Sequence, residues 1–366
     1  MTQKISNYQL IVLVANFILS SSVISLPQII VQVGEQNAWL VPIILYPIFL
    51  LMIFLIFGKT SKDEYKNLFA IGKRGSLLEK GFVFLFFLFV FLVLIRDLRA
   101  MIDFISSVLL PNTPLDILMI LSILVIVYIA MSGLEVIARI NGIHFFLLTL
   151  VTIIIPFLLI NESELDNLLP LPNVSMIKAL FQSSYVGFSW LGEFLLFLLI
   201  IGNVNPIKAA RKAVIQGTTL GFFLFLIVLF FQIIVLGTKI VTEATYPAYI
   251  LVQQIHLTDF LDRLDLFIVA IWLPTIITKI AFLFYAFNHC LSMYYKSNTN
   301  KFMFPISFIL GYLSILLFKN SMEHLHFSFE VWCSLGLILE LMILILFIIV
   351  KKSAKKKGLS NENESN

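Results

Sequence analysis

Several charged side chains lie within or beside long apolar stretches of this 366-residue sequence, and they are where its chemistry must be sought. A charge surrounded by hydrocarbon is costly, so it has a partner or a task. Glu193 closes the run Gly187-Phe188-Ser189-Trp190-Leu191-Gly192-Glu193, where an acid can hold a substrate amine, carry a proton or serve as a structural counter-ion. Lys279 follows Thr275 by four residues, so the two share a helix face. Its ammonium can stand where a sodium-coupled protein holds its ion, or it can pair with Glu193 or snorkel inward. Arg96, Asp97, Arg99 and Asp103 share one stretch, and Arg99 and Asp103 are one turn apart and able to satisfy each other. They read as a structural cluster near the outer leaflet rather than a ligand site. Glu340 is expected to pack against a neighbouring helix or subunit.

Two interruptions in the helical pattern accompany these charges. In the first, Ser20, Ser21, Ser22 and Ser25 precede Pro27, which lacks an N–H and disfavours the helical conformation of Leu26, while serines can bond freed carbonyls. In the second, Gly187 and Gly192 bracket the approach to Glu193. Unwound backbone at this depth is tolerated where it lines a cavity, and two breaks at corresponding positions point to a midplane site. Half-helix N-termini there face a carboxylate, and loose carbonyls face an amine or cation. The candidate ligand-binding set is therefore Ser20, Ser21, Ser22, Ser25, Ser184, Gly187, Phe188, Gly192, Glu193 and Thr275. Lys279 and Glu193 are the candidates for ion mimicry or proton coupling.

The elements that must carry these residues are membrane helices. Hydrophobic residues make up 60% of the chain and charged ones 13%, with 36 Phe and a mean hydropathy of +1.01. A soluble domain has about 25% charged residues, so this chain cannot cover a water-facing globule. Ten apolar runs approach the roughly 20 residues that a bilayer requires. They lie near Gln9–Val31, Ala38–Phe57, Phe82–Ile102, Leu115–Leu134, Ile143–Ile160, Ile177–Ile201, Val214–Leu236, Leu264–Phe287, Phe302–Phe318 and Val331–Val350. The runs do not alternate as barrel strands would.

Basic residues divide the loops. Lys4, Lys59 to Lys80, Arg139, Lys208 to Lys212, Lys296, Lys301 and Lys351 to Lys357 fall on one side. Glu162, Glu164, Asp166, Asp259, Asp262 and Asp265 fall on the other. This bias places both termini in the cytoplasm. The first apolar run reads as a retained span rather than a cleaved signal peptide. Residues 1–350 form one transmembrane domain, with five-span halves at 1–160 and 175–350; an odd number per half inverts the second, as in inverted-repeat transporters. Residues 351–366 form a basic, then polar, tail expected to be disordered beyond Lys357.

The net charge of +4 is too mild to argue for nucleic acid. Cys290 and Cys333 read as small buried hydrophobes. Gly217 and Gly221 have the spacing of close helix packing. His324 and His326 beside Glu323 are read as an exposed turn rather than a metal site. No P-loop, nucleophile elbow, CxxC pair or HExxH helix is present, so no enzyme and no cofactor is expected.

Several stretches together resemble a known family. They are Lys4-Ile5-Ser6 with Gln9-Leu10, Leu26-Pro27 after the serines, Ala38-Trp39, Leu110-Pro111-Asn112-Thr113-Pro114 and Asn167-Leu168-Leu169-Pro170. The most specific is Thr245-Tyr246-Pro247, followed by Phe260-Leu261-Asp262-Arg263-Leu264-Asp265 and Trp272. Over nearly its whole length the chain resembles the B-type, permease-like subunit of bacterial spore germinant receptors, in the amino acid–polyamine–organocation superfamily. The resemblance implies an all-α polytopic protein with ten transmembrane helices, a LeuT-like five-plus-five inverted repeat with broken first and sixth helices. It further implies residence in the spore inner membrane and assembly with an A subunit and a C lipoprotein. A small nutrient, commonly an amino acid and otherwise a nucleoside or sugar, would bind between the first, third, sixth and eighth helices. Serines replace the glycine-rich first-helix break of the relatives. A proton-coupled amino-acid permease is the alternative function.

Overall fold

The computed structural model describes residues 4–56, 77–255, 264–295 and 300–363. Lys59 to Arg74, Asp259 to Arg263 and Lys296, used above for orientation and resemblance, lie outside them. The described residues are almost wholly helical. Helices α1 (Asn7–Leu19) and α2 (Ser22–Gly34) form the first span, followed by α3 (Val41–Ile56), α4 (Leu77–Phe104), α5 (Leu115–Met131) and α6 (Leu134–Leu158). Helix α7 (Ile177–Leu191) passes directly into a 3-10 helix over Gly192–Leu199. Then come α8 (Ala210–Glu243), α9 (Pro247–Gln253), α10 (Leu264–Tyr295), α11 (Asn300–Leu316), α12 (Ser321–His326) and α13 (Trp332–Asn363).

Among the described residues, six helical stretches are long and apolar enough to cross a bilayer, and three shorter apolar helices accompany them. Large apolar side chains such as Leu51, Leu121, Tyr128, Ile143, Phe157 and Phe267 remain exposed on the outside of the bundle. Lipid is the solvent in which that surface is stable. Polar residues are gathered inside instead, the inverse of a soluble protein.

A capping box starts α1: the Ser6 hydroxyl accepts from the Gln9 N–H at 3.2 Å, and the Gln9 side chain accepts from the Ser6 N–H at 2.8 Å. Just before it, Ile5 and Ser6 pair in parallel with Val204 and Asn205, tying the entry of the first span to the exit of the sixth. Helix α1 lies against α8 at close range. A Cβ on Gly217 would stand 2.5 Å from the Ile11 carbonyl, and one on Gly221 would stand 2.8 Å from the Ile18 Cβ. Only glycine permits that approach. Helix α2 packs on α7 and α8, α10 on α4 and α6, and α13 on α4 and α7.

The first span divides at Ser20–Ser21, inside the serine run read as the break, and α2 continues through Pro27. Even there the backbone keeps right-handed helical angles, with φ −62° and ψ −44° at Ser20. The division falls where other helices supply donors to the freed carbonyls, which outweighs the missing proline N–H. At the other end, α13 runs to Asn363.

Candidate functional site

Four fully buried charges meet where α4, α10 and the α7-to-3-10 junction converge. Lys279 Nζ lies 2.5 Å from Glu193 Oε2 and 2.9 Å from Asp97 Oδ2, the latter an ion-pair contact without hydrogen-bond alignment. Arg96 donates from Nε to Asp97 Oδ1 at 3.0 Å, and through Nη2 to both Asp97 Oδ1 and Glu193 Oε1. Two cations thus answer two carboxylates in a closed ring. The guanidinium also lies 4.3 Å from the Trp190 ring centre and 4.7 Å from that of Trp332, adding cation–π attraction in a dry setting. A buried ion pair stabilises only when each member keeps its partners, so the ring locks three segments together in this arrangement.

Lys279 also ties the ring to the first-span division. Its Nζ donates to Ser21 Oγ at 2.5 Å and reaches the Phe17 carbonyl at 3.5 Å. Trp272 Nε1 donates to the Ser20 carbonyl at 3.0 Å. Asn16 Nδ2 donates to the Thr275 carbonyl at 2.9 Å, and the Thr275 hydroxyl donates to the Trp272 carbonyl at 2.6 Å. The carbonyls loosened at the division are therefore held by α10.

The other predicted residues divide into two groups. The hydroxyls of Ser20, Ser22 and Ser184 are buried without a hydrogen-bond partner among the described residues, and Ser25 is buried beside them on α2. Gly187 and Phe188 turn away from the ring towards α3. A Cβ on Gly187 would stand 3.2 Å from Val41 and Leu45, and the Phe188 ring centre is 5.2 Å from that of Phe49. Gly192 sits at the change from α to 3-10 helix, where a Cβ would run into the Glu340 carboxylate.

Sequence reasoning placed Arg96 and Asp97 with Arg99 and Asp103 in one peripheral cluster. The structure separates them. Asp103 lies six residues beyond Asp97, about 9 Å along the helix axis. Arg99 bonds Asp103 at 2.9 Å and the Ile315 and Phe318 carbonyls at 3.1 Å. His324, expected on an exposed turn, is buried there with Nδ1 3.3 Å from Asp103. The carboxylate and an edge contact with Phe318 draw it inward. His326 is exposed as expected, and no metal-binding group of three or more His, Cys, Asp or Glu occurs among the described residues. Arg96 and Asp97 were assigned to the wrong cluster, Trp190 and Trp332 were missed, and Glu340 packs against a neighbouring helix as expected. The available signal was an Arg-Asp pair and a Trp beside a break, each in an apolar run.

On the other side of the Ser20 division lies a cavity of about 80 Å³ with an almost wholly apolar lining. Leu19, Val23, Phe104, Phe231, Tyr249 and Trp272 are among its walls. Phe104 meets Trp272 edge-on at 5.0 Å, and the Tyr249 hydroxyl is turned away to Asp265 at 2.7 Å. The cavity offers apolar surface, and the division beside it offers unpaired hydroxyls.

An all-helical bundle with a divided first span, a sixth span that changes helix type, and buried charges joining them has the architecture of a multi-pass membrane transporter. The fold matches the solved structure of Mhp1, a nucleobase-cation-symport-1 family transporter in a closed conformation with bromovinylhydantoin bound. The TM-score is 0.54 at 13% identity, covering 96% of this chain and 91% of that one. Within that fold class the chain belongs to the spore germination protein family, whose permease-like family model matches residues 4–323. Among its relatives in Bacillus subtilis (strain 168), YfkT is 29% identical, covering 96% of this chain and 97% of its own. Spore germination protein KB is 27% identical over 88% of this chain and 87% of its own, and spore germination protein A2 is 24% identical over 85% and 86%.

Proposed function

We propose that this chain is the nutrient-sensing transmembrane subunit of a spore germinant receptor. The observation that carries the reading is the ring of Arg96, Asp97, Glu193 and Lys279, clamped onto the first-span division at Ser21. A ligand can shift a conformational equilibrium only by binding its two states unequally. A ligand that competes for Lys279, Glu193 or the Ser20 and Ser22 hydroxyls does this directly, because the contacts it displaces hold the resting state.

The ligand class that fits best is an amino acid with an apolar side chain. Its charged ends meet the hydroxyls and ring charges at the division, and its side chain enters the cavity beside Leu19 and Trp272. A nucleoside or sugar would leave many polar groups against that lining, each costly without a partner. In this reading the protein works in the spore inner membrane with both termini cytoplasmic, alongside an A subunit and a C lipoprotein, and has no enzymatic role.

The test is to reconstitute the protein in proteoliposomes and to measure binding and uptake of a labelled amino-acid panel in the same preparations. Saturable binding of an apolar amino acid without accumulation is the expected result. Uptake concentrated by a proton gradient would establish the alternative, a proton-coupled permease. Absence of binding by every member of the panel would remove the amino-acid reading.

A further inference from the structure

Glu340 lies on α13, beyond the stretch matched by the family model, and takes no part in the charge ring. It is fully buried, and both carboxyl oxygens lack a hydrogen-bond partner among the described residues. Few buried acids are left so bare. An isolated ionised carboxylate in such a place costs far more than a neutral acid does, and the usual resolution is to hold a proton.

The charge count leads to the same state. The ring is already balanced, with Arg96 and Lys279 answering Asp97 and Glu193. An ionised Glu340 would add a third negative charge to two positive ones.

The groups around Glu340 define what it competes for. The 3-10 helix presents Gly192 against its carboxyl and Glu193 next in the chain. Helix α4 contributes Arg96, whose Nη1 is buried and unpartnered while Nη2 holds Glu193. Helix α7 contributes Ser189, which donates to the Cys333 carbonyl at 2.6 Å, and Trp190; its Lys178 is exposed at the opposite end. Helix α3 carries no acid or base, and its Tyr46 hydroxyl is engaged with Thr219.

We propose that Glu340 is a proton-binding site, neutral in this conformation, whose ionisation would pull Arg96 away from Glu193. The step balances simply. The O–H bond of the carboxyl breaks, the electron pair stays on oxygen, and the proton leaves to water when the packing at Gly192 opens. The new carboxylate competes with Glu193 for the Arg96 guanidinium; as Arg96 turns to it, Glu193 loses a donor and the tie between α4 and the 3-10 helix loosens. The device serves a sensor or a permease equally, so it does not depend on the function proposed above.

Infrared spectroscopy of the purified full-length protein at neutral pH tests this. A carboxylic acid C=O band is expected in the folded protein, shifted by ¹³C-glutamate labelling, lost in Glu340→Gln and retained in Glu330→Gln, which alters an exposed acid. A band that survives Glu340→Gln overturns the proposal. So does the absence of any label-shifted acid band in the folded wild type, a result that needs no variant to fold.

Discussion

Replacing Lys279 with Met tests the charge ring most directly. The substitution keeps much of the side-chain volume but removes the ammonium, leaving Arg96 alone against Asp97 and Glu193. Both carboxylates are buried, so neither can recover its lost partner from water. Breaking a buried pair by deleting one member costs about 3–5 kcal/mol. That corresponds to roughly two to four powers of ten in the folding equilibrium. The first-span division loses its donor to Ser21 in the same stroke.

Pairing Lys279→Met with Glu193→Gln removes one charge of each sign and leaves Arg96 with Asp97. The double variant is therefore expected to be more stable than the sum of the two single losses allows, by about 1–3 kcal/mol of coupling. Unfolding of the purified protein by SDS titration in mixed micelles, read by tryptophan fluorescence, measures all four species. If Lys279→Met costs less than about 1 kcal/mol, or if the two losses simply add, the ring is not a mutually dependent unit. The argument for a resting-state lock would then fail.

Two further substitutions probe the surroundings. Gly192→Ala pushes a methyl group into the Glu340 carboxyl and should lower stability by about 1–3 kcal/mol, with Glu340→Ala in the same chain restoring part of the loss; equal heat-aggregation temperatures for Gly192→Ala and wild type would show that this packing is not as described. Arg99→Met strips Asp103 of its guanidinium and frees the Ile315 and Phe318 carbonyls, so it should cost about 3 kcal/mol or more while amino-acid binding to the surviving folded protein is unchanged. A loss of binding affinity without a loss of stability would instead bring Arg99 into the ligand site.

Much of the site was legible because the membrane makes polar residues conspicuous. Glu193 and Lys279 stand out in apolar runs, and the serine cluster marks the first-span division, while Pro27 beside it stays inside α2. Gly187 is the instructive contrast. It looked like part of a break, yet it lies on a continuous turn of α7 facing Val41 and Leu45, where a small residue admits a neighbouring helix. Glycine marks either conformational freedom or close packing, and a sequence does not say which. Arg96 and Asp97 failed differently: four charges in one helix suggested one cluster, but their order along the axis divides them between two sites.

The sequence by itself determined the solvent, the class of fold and which residues must find partners. Those follow from the cost of placing charge and unpaired backbone in hydrocarbon, and that cost is local to each residue. Only the tertiary structure decided the pairing. Lys279 meets Ser21, Glu193 and Asp97, drawn from three different segments, because helix packing brings them within hydrogen-bond reach. His324 is drawn inside by Asp103 for the same reason. Glu340 is left without a hydrogen-bond partner among the described residues because packing sets its carboxyl against Gly192, a relation among helices that no single stretch of sequence contains.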